Sequence, residues 1–491
     1  MPADREVELK FTCRPADMAA VLAAAPPGRD ETRELIGVYF DTPDRDLQKA
    51  GATLRVRDSS GRRTQTLKLG TGLVRQEHEA PIAGLAPDPR RGPLSKLLPR
   101  GARLCPVFNV AVTRRQRTAQ CHGAEIELAL DLGAITCGDR TTPICEVELE
   151  LKAGPASALF ELARELSAAA PLDVAFDSKP ARGYALMAGE TAALRSAGKI
   201  DLAAAVTVGD AFQAVSRQAL AQMAGAAASL RAAPQAEAVH QLRVGARRLR
   251  SALKTFGLVL TGSDDVEAGL RWLGQSCDTA RSLDAFIEQT LTSAPSGAAR
   301  QRGRAKLRSA LEAARRRARK SVTATVASPR FRALMIDALA WIETGDWRDS
   351  AAARAPLARY IGKALTRHLN TVLKRGRAAG NASAAAGDAA RHHLRIAAKT
   401  LRYAAEALAS LYRAKPTERF LHRVRDLQDV LGQLNDLATA TPLMAGLALT
   451  PDAAFAAGEL ISGRAAAAPG LIAEANVAFR KLADAEPFWE R

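Results

Sequence analysis

The 491-residue sequence predicts an α+β, multidomain protein: an N-terminal antiparallel β-sheet closed into a barrel, with flanking helices, then an all-α domain of two repeated helical bundles. Three observations lead there. Residues 5–155 alternate polar and apolar side chains with period two. From about Asp201 onward the period becomes 3.6, in runs rich in Ala, Leu and Arg. Within that second part a basic stripe, His240, Arg243, Arg247 and Arg250, recurs 152 residues later as His392, Arg395, Lys399 and Arg402.

The strand signals come first in the chain. Glu6-Val-Glu8-Leu-Lys10, Thr53-Leu-Arg55-Val-Arg57, Thr64-Gln-Thr66-Leu-Lys68, Ala124 to Leu130 and Cys145 to Lys152 alternate wholly or in part. Several carry charges alone on one face, some acidic and some basic. A closed barrel with a polar interior would set both kinds around one cavity, whereas a half-exposed sheet would turn them to water. Gly154-Pro155 breaks the pattern, and Ala156 to Ala168 reads as a helix. The expected boundaries are 1–190 for the strand domain, 191–204 for a small-residue linker and 205–491 for the helical domain, in halves of about 205–345 and 355–491.

Helix breaks are expected near Pro234, Gly262, Pro295, Pro329, Gly345, Gly380 to Gly387, Pro416, Pro442 and Pro451, which leaves eight to ten helices. At roughly 100° per residue, the four stripe positions share one face of each helix. Leu242, Ala246, Leu249 and Leu253 in one copy, and Leu394, Ala398, Leu401 and Ala405 in the other, form an adjoining apolar face. The first stripe runs on to Lys254 and has no acid among its own positions; the second meets Glu406 only at its end. Solvated faces commonly intersperse acids for mutual support, so uncompensated cations point to an anionic ligand. Arg304, Arg308, Arg315 and Arg319 make a further basic row that reads equally well as a solvated face or as an extension of the groove. His393 projects away from the stripe and ranks behind His392.

Composition narrows the partner. The formal charge is +18. Residues 1–200 hold 28 basic and 26 acidic side chains and the remainder 42 and 26, so the excess lies in the helical part. Aromatic residues are only 4% of the chain, and single-stranded nucleic-acid binders interleave stacking rings with their cations. Specific nucleic-acid recognition is therefore not expected. The six cysteines make no CxxC pair and no cluster with the seven histidines, which fits free thiols in a reducing compartment. The start lacks a hydrophobic signal core, and no uncharged apolar run reaches the ~20 residues of a membrane span. A soluble cytoplasmic protein with no membrane partner is expected.

The first 190 or so residues resemble the CYTH domain, the triphosphate tunnel metalloenzyme fold. The resemblance rests on Glu6-Val-Glu8-Leu-Lys10, Tyr39-Phe-Asp-Thr-Pro43, Gly51 to Arg57, Thr66-Leu-Lys68, Arg75-Gln-Glu77-His-Glu79, Glu146-Val-Glu148-Leu-Glu150-Leu-Lys152 and Ser178-Lys179-Pro-Ala-Arg182-Gly-Tyr184. The remainder resembles the CHAD domain, a helical module associated with inorganic polyphosphate, through the two His-x-x-Arg stripes and Leu427 to Asp436. The first-half counterpart of that last segment, Ala280 to Asp284, departs from the pattern at Ser282.

The resemblance implies a metal-dependent inorganic triphosphatase acting on tripolyphosphate or a related linear triphosphate, with a module that binds long-chain polyphosphate. Glu6, Glu8, Glu148 and Glu150 would then hold Mg²⁺ or Mn²⁺ through hard oxygen ligands, with Glu146 able to replace either of the last two. Lys10, Arg55, Arg57, Lys68, Arg75, Arg115, Arg117, Lys179 and Arg182 would grip phosphate, and Lys10, Glu6 and Glu8 would lie at the chemistry, with water as the attacking group. Because Arg114 adjoins Arg115, a one-residue slip would exchange faces there. Glu77, Glu79 and Asp131 read equally as tunnel acids or surface charges, and Lys152 as a salt bridge at the barrel mouth. In the helical half His240, Arg243, Arg247, Arg250, Lys254, His392, Arg395, Lys399 and Arg402 would bind polyphosphate. The alternatives are a catalytically silent polyphosphate-binding or granule-associated protein, and a class IV type adenylate cyclase.

Overall fold

The computed structural model describes residues 7–59, 61–70, 76–189, 200, 202, 205–290, 298–382 and 384–490. The chain divides into two units, one holding residues up to Ala193 with Ser328–Ala340, the other holding Leu194–Ala327 and Trp341–Arg491. The expected linker falls mostly outside the described residues.

In the first unit the elements run β1 (Val7–Thr12), α1 (Met18–Ala24), β2 (Asp30–Asp41), α2 (Asp46–Lys49), β3 (Ala52–Ser59), β4 (Arg62–Leu69), β5 (Gln76–Pro81), α3 (Leu94–Leu97), β6 (Cys105–Cys121), β7 (Ala124–Cys137), β8 (Arg140–Ala153), α4 (Ser157–Ala169), β9 (Asp173–Val174) and α5 (Lys179–Ala188). The strands make one antiparallel sheet in the order β5-β4-β3-β2-β6-β7-β8-β1-β9. Among the described strands no pairing joins β5 to β9, so the expected closure into a barrel is not made by backbone hydrogen bonds. Alternation does what the pattern promised. Leu9 and Phe11 of β1 are buried on the face opposite Glu8 and Lys10, and Leu54 and Val56 of β3 on the face opposite Arg55 and Arg57.

Two devices fix α5, the helix that follows the strands, against the sheet. Gly183 packs against the Phe108 ring, where a Cβ would come within 2.4 Å of a ring carbon, so no larger residue fits without displacing β6. Tyr184 Oη donates to buried Asp41 Oδ2 at 2.7 Å. The Asp41 carboxylate also accepts from the amides of Thr42 (2.7 Å), Leu47 (2.9 Å) and Gln48 (3.1 Å), which satisfies an otherwise costly buried charge. Ser178 caps the helix by accepting from the Ala181 amide at 3.3 Å, and Pro180 sits in the first turn.

The helices that follow are α6 (Val208–Ala232), α7 (Ala236–Phe256), α8 (Asp264–Thr290), α9 (Ala298–Val326), α10 (Pro329–Thr344), α11 (Leu357–Gly380), α12 (Ala384–Ala407), α13 (Ala414–Ala445), α14 (Pro451–Ala465) and α15 (Ala468–Ala483). Thr207 and Asp210 form a capping box at the start of α6. The 152-residue offset carries α6 onto α11, α7 onto α12 and α8 onto α13, while α9 corresponds to the broken pair α14 and α15. Pro295 lies outside the described residues; the other expected breaks hold, that near Pro416 among them, with one correction at Pro442. Pro416 lies in the first turn of α13, where its missing N–H costs nothing. Pro442 lies inside α13, which continues to Ala445. No described helix is long and apolar enough to cross a membrane.

Candidate functional site

Side chains from eight strands and from α5 face one cavity of about 360 Å³ in the first unit. Its two walls differ. On one, Arg55 and Arg57 of β3 stand beside Lys68 of β4, whose cross-strand partner Glu77 lies on β5. Glu77 meets Lys68 at 2.8 Å and Arg55 at 3.7 Å. Burial opposes its charge, but Lys68 and then Arg55 prevail and hold the carboxyl below its usual range. Glu79 accepts from Thr66 Oγ1 at 3.1 Å. The Arg55 Nε is buried without a hydrogen-bond partner. Arg57 has no ion pair among the described residues, and burial, aided by Arg55, pushes it down to about 10.

On the other wall register assembles a network. Lys10 is opposite Glu148 and Glu8 opposite Glu150, while Asp131 is opposite both Arg114 and Glu146. Glu148 is the hub: its Oε1 takes Lys10 Nζ at 2.8 Å and Lys179 Nζ at 2.7 Å, and its Oε2 takes Arg114 at 2.5 Å. Burial would raise its pKa; Lys10, Lys179 and Arg114 outweigh that and hold it well below the usual carboxylate range. Arg114 also forks onto buried Asp131 at 2.7 and 2.6 Å. Lys179 further touches Asp131 at 2.8 Å and Glu146 at 2.7 Å. For Lys10 and Lys179 burial works against the charge, and Glu148 first among the acids reverses it, so both ammonium groups are raised. Lys152 bridges Glu150 (2.6 Å) and Glu127 (3.3 Å) in the same lining.

Of the sequence-predicted residues, Glu8, Lys10, Arg55, Arg57, Lys68, Glu148, Glu150 and Lys179 line this cavity, as do Glu77, Glu79 and Asp131. Glu6 and Arg75 lie outside the described residues. Arg115 and Arg117 are corrections: both pair with Asp30 of β2, Arg117 Nε at 2.6 Å, on the face away from the cavity. Arg114 and Gln116 take the inward positions instead. The signal for this was present upstream, because buried Phe108, Val110 and Val112 set a phase that continues to Arg114. Arg182 pairs with Glu146 at 2.5 Å and donates to the Pro143 carbonyl, and it is not in the lining.

The carboxylates suit a hard divalent cation in chemistry, Glu8 and Glu150 being cross-strand partners that both face the cavity. Lys10 Nζ meanwhile lies 3.1 Å from Glu8 and 2.8 Å from Glu148. Among the described residues no three acidic, imidazole or thiol groups are gathered to hold a metal as the side chains lie.

In the second unit the two basic stripes meet. α7 packs on α12, with Arg247 Nη1 3.4 Å from Tyr403 Oη and Ser251 Oγ donating to the Thr400 carbonyl at 3.1 Å. Arg402 lies over the Tyr403 ring at 4.8 Å. Lys399 is enclosed by Arg243 and Arg247 of α7 and Arg395 and Arg402 of its own helix; burial, then Arg247 and Arg395, push it down to about 6. The Nε atoms of Arg243, Arg395 and Arg402 are buried without hydrogen-bond partners. Arg395 and His392 both reach Asn435 Oδ1 of α13, at 3.1 and 3.2 Å. His240 is half-buried and lowered by burial and then Arg281. Lys254 is lowered by burial and then Arg250. Arg243 pairs with Asp278 of α8, an acid that a search along its own helix does not find. In the further basic row Arg319 pairs with buried Asp284 at 2.5 Å, a structural contact rather than an open phosphate grip.

An antiparallel sheet wrapped round a charged cavity, followed by helices that gather cations into a seam, finds its match in two families: residues 4–184 match the CYTH domain and residues 214–445 the CHAD domain. The chain carries a CYTH domain followed by a CHAD domain. Among curated proteins it is similar to the inorganic triphosphatase of Haemophilus influenzae, 30% identical over 193 residues, which is 37% of this chain and 55% of that protein; the chain thus spans about half the length of that relative. Among solved structures it is similar to the CHAD domain from Ricinus communis, at 26% identity and a TM-score of 0.46 over 60% of this chain and 93% of that one. It is also similar to a putative adenylyl cyclase from Hippeastrum described as having a dominant triphosphatase activity, at 18% identity and a TM-score of 0.28 over 38% and 96%.

Proposed function

We propose that the chain is a metal-dependent inorganic triphosphatase that hydrolyses tripolyphosphate or a related linear triphosphate, with a helical module that binds inorganic polyphosphate. The carrying observation is the pair Arg55 and Arg57, two guanidiniums on one strand face: Arg57 has no ion pair among the described residues, and Arg55, 3.7 Å from Glu77, keeps a buried Nε without a hydrogen-bond partner. A guanidinium fork matches two phosphate oxygens at once. Lys68 supplies a third cation on that wall, and Arg114 takes the phosphate role that the resemblance gave to Arg115 and Arg117. Glu6, Glu8, Glu148 and Glu150 would hold Mg²⁺ or Mn²⁺, which supplies charge neutralisation at the transferred phosphoryl group. Lys10 and Lys179, held charged by Glu148, then stabilise negative charge on the phosphate oxygens.

The cavity favours phosphate without a base. Tyr39 is the one aromatic residue in its described lining and is stacked on Phe108 at 4.8 Å, which leaves little platform for a nucleobase. In the helical unit, the buried unpartnered Nε atoms of Arg243, Arg395 and Arg402 support a polyanion ligand, and such a ligand would associate the protein with polyphosphate granules in the cytoplasm. The test is phosphate release from tripolyphosphate, ATP and long-chain polyphosphate with Mg²⁺ or Mn²⁺, beside Glu8→Ala. Tripolyphosphate hydrolysis lost in the variant is the expected result. Retention of polyphosphate with no release from any substrate would convert the reading to a binding protein, and pyrophosphate release from ATP to a cyclase.

A further inference from the structure

Two sulfurs meet on the ladder that carries the cavity's acids. β1 and β8 pair with Thr12 opposite Glu146, and the Cys13 amide donates to the Cys145 carbonyl at 3.3 Å. The next rung therefore sets Cys13 against Cys145, with Sγ atoms 3.5 Å apart. Opposed residues of an antiparallel pair have Cα atoms about 4.5–5.5 Å apart, inside the roughly 4.4–6.8 Å that a disulfide spans. Side-chain rotation is then enough to bring the sulfurs to bonding distance. Both thiols are free and half-buried. Among the described residues no other two of the six cysteines bring their sulfurs into contact.

Parity places the pair away from the cavity. Cys13 continues the face of buried Leu9 and Phe11, and Cys145 that of Val147 and Leu149, opposite Lys10 and Glu148. We propose that Cys13 and Cys145 form an oxidation site, a dithiol that hydrogen peroxide converts to a disulfide, stapling β1 to β8 behind the cavity. One thiol ionises and its thiolate attacks a peroxide oxygen; the O–O bond breaks, leaving a sulfenic acid and a hydroxide that takes up the released proton as water. The second thiol ionises in turn and its thiolate attacks that sulfur; the S–S bond forms, the S–O bond breaks, and the departing hydroxide takes up the proton the second thiol released, as a second water. Two electrons pass from the two sulfurs to the peroxide. Burial raises both thiols above their ordinary range, so oxidation quickens as pH rises, because the thiolate is the attacking form.

The bond closes a loop with its ends 132 residues apart, which restricts the unfolded chain strongly. The experiment exposes the full chain to hydrogen peroxide, alkylates remaining thiols and maps peptides without reduction, beside Cys13→Ser and Cys145→Ser. A Cys13–Cys145 cross-linked peptide, cleaved by dithiothreitol, is expected, with Tm raised by roughly 5 °C or more over the reduced chain and no such shift in either variant. Tripolyphosphate hydrolysis should be unchanged by the bond, and its presence or absence does not bear on the outcome. Cys13 and Cys145 still alkylated after exposure, whatever becomes of the other four, would overturn the proposal, as would cross-linking of either to a different cysteine.

Discussion

If the seam between α7 and α12 binds polyphosphate, its affinity should fall steeply as pH rises, and Lys399 sets the slope. Four guanidiniums and burial hold this amine at about 6 in the free protein. Around it stand Arg243 and Arg247 on α7 and Arg395 and Arg402 on α12, with Asp436 of α13 acting on Arg395. A polyanion laid across them reverses the local potential and raises Lys399, working against the burial that is the larger cause of its depression. The sign follows: below about 6 Lys399 is already charged and binding needs no proton, whereas above it each bound chain must take one up. Linkage then weakens binding by about tenfold, or 1.4 kcal/mol, per pH unit. From about pH 6 to pH 8 that is at most roughly 100-fold. His240, lowered by burial, adds to the trend. The assay is titration of long-chain polyphosphate, whose interior groups do not ionise in this range, at fixed ionic strength. Lys399→Arg, permanently charged, should flatten the slope. A wild-type affinity that stays level with pH, or an equal slope in Lys399→Arg, would refute the reasoning.

Other outcomes follow from the cavity. Arg57→Ala should raise KM for tripolyphosphate by roughly 10- to 100-fold without lowering Tm, since Arg57 has no ion pair to lose among the described residues. Arg114→Ala should cost about 3 kcal/mol in urea unfolding, leaving buried Asp131 and Glu148 short of a partner, and should suppress turnover; Arg115→Ala, on the exposed side, should cost less than about 1 kcal/mol and leave turnover intact. Because Glu148 is held well below the usual range, its contribution to stability is present above the unfolded value of about 4.3 and is lost as pH falls through the folded value. Glu148→Gln should weaken the acid dependence of unfolding. Chelation should stop phosphate release from tripolyphosphate and added Mg²⁺ or Mn²⁺ restore it, read as released orthophosphate.

Much of the cavity was legible because alternation is a local property. Glu8 and Lys10, or Arg55 and Arg57, share a face whatever their neighbours do. The trio Arg114, Arg115 and Arg117 was harder, since charge alone cannot choose between two faces; the buried Phe108, Val110 and Val112 do. Arg182 matched a motif but is drawn aside by Glu146, a partner 36 residues away that pattern cannot weigh. Closure of the sheet depends on how far it coils, which no single strand encodes. In the helical part the stripes were plain, yet that they converge on Lys399 depends on the packing of α7 against α12. Pro442 looked like a stop but sits in a helix whose packing tolerates the lost hydrogen bond.

Glu148 Oε1 receives Lys10 from the first strand and Lys179 from the helix that follows the last strand. The order of synthesis therefore matters. A nascent chain that has released every strand except the final short one still has only one of these two cations to offer. Residues 138 positions apart must then find each other, a slow search, before the buried acid is neutralised. The network round the cavity is completed only once Lys179 is made: a chain truncated ahead of it would leave Glu148 with Lys10 and Arg114, but Asp131 and Glu146 without the ammonium that joins them.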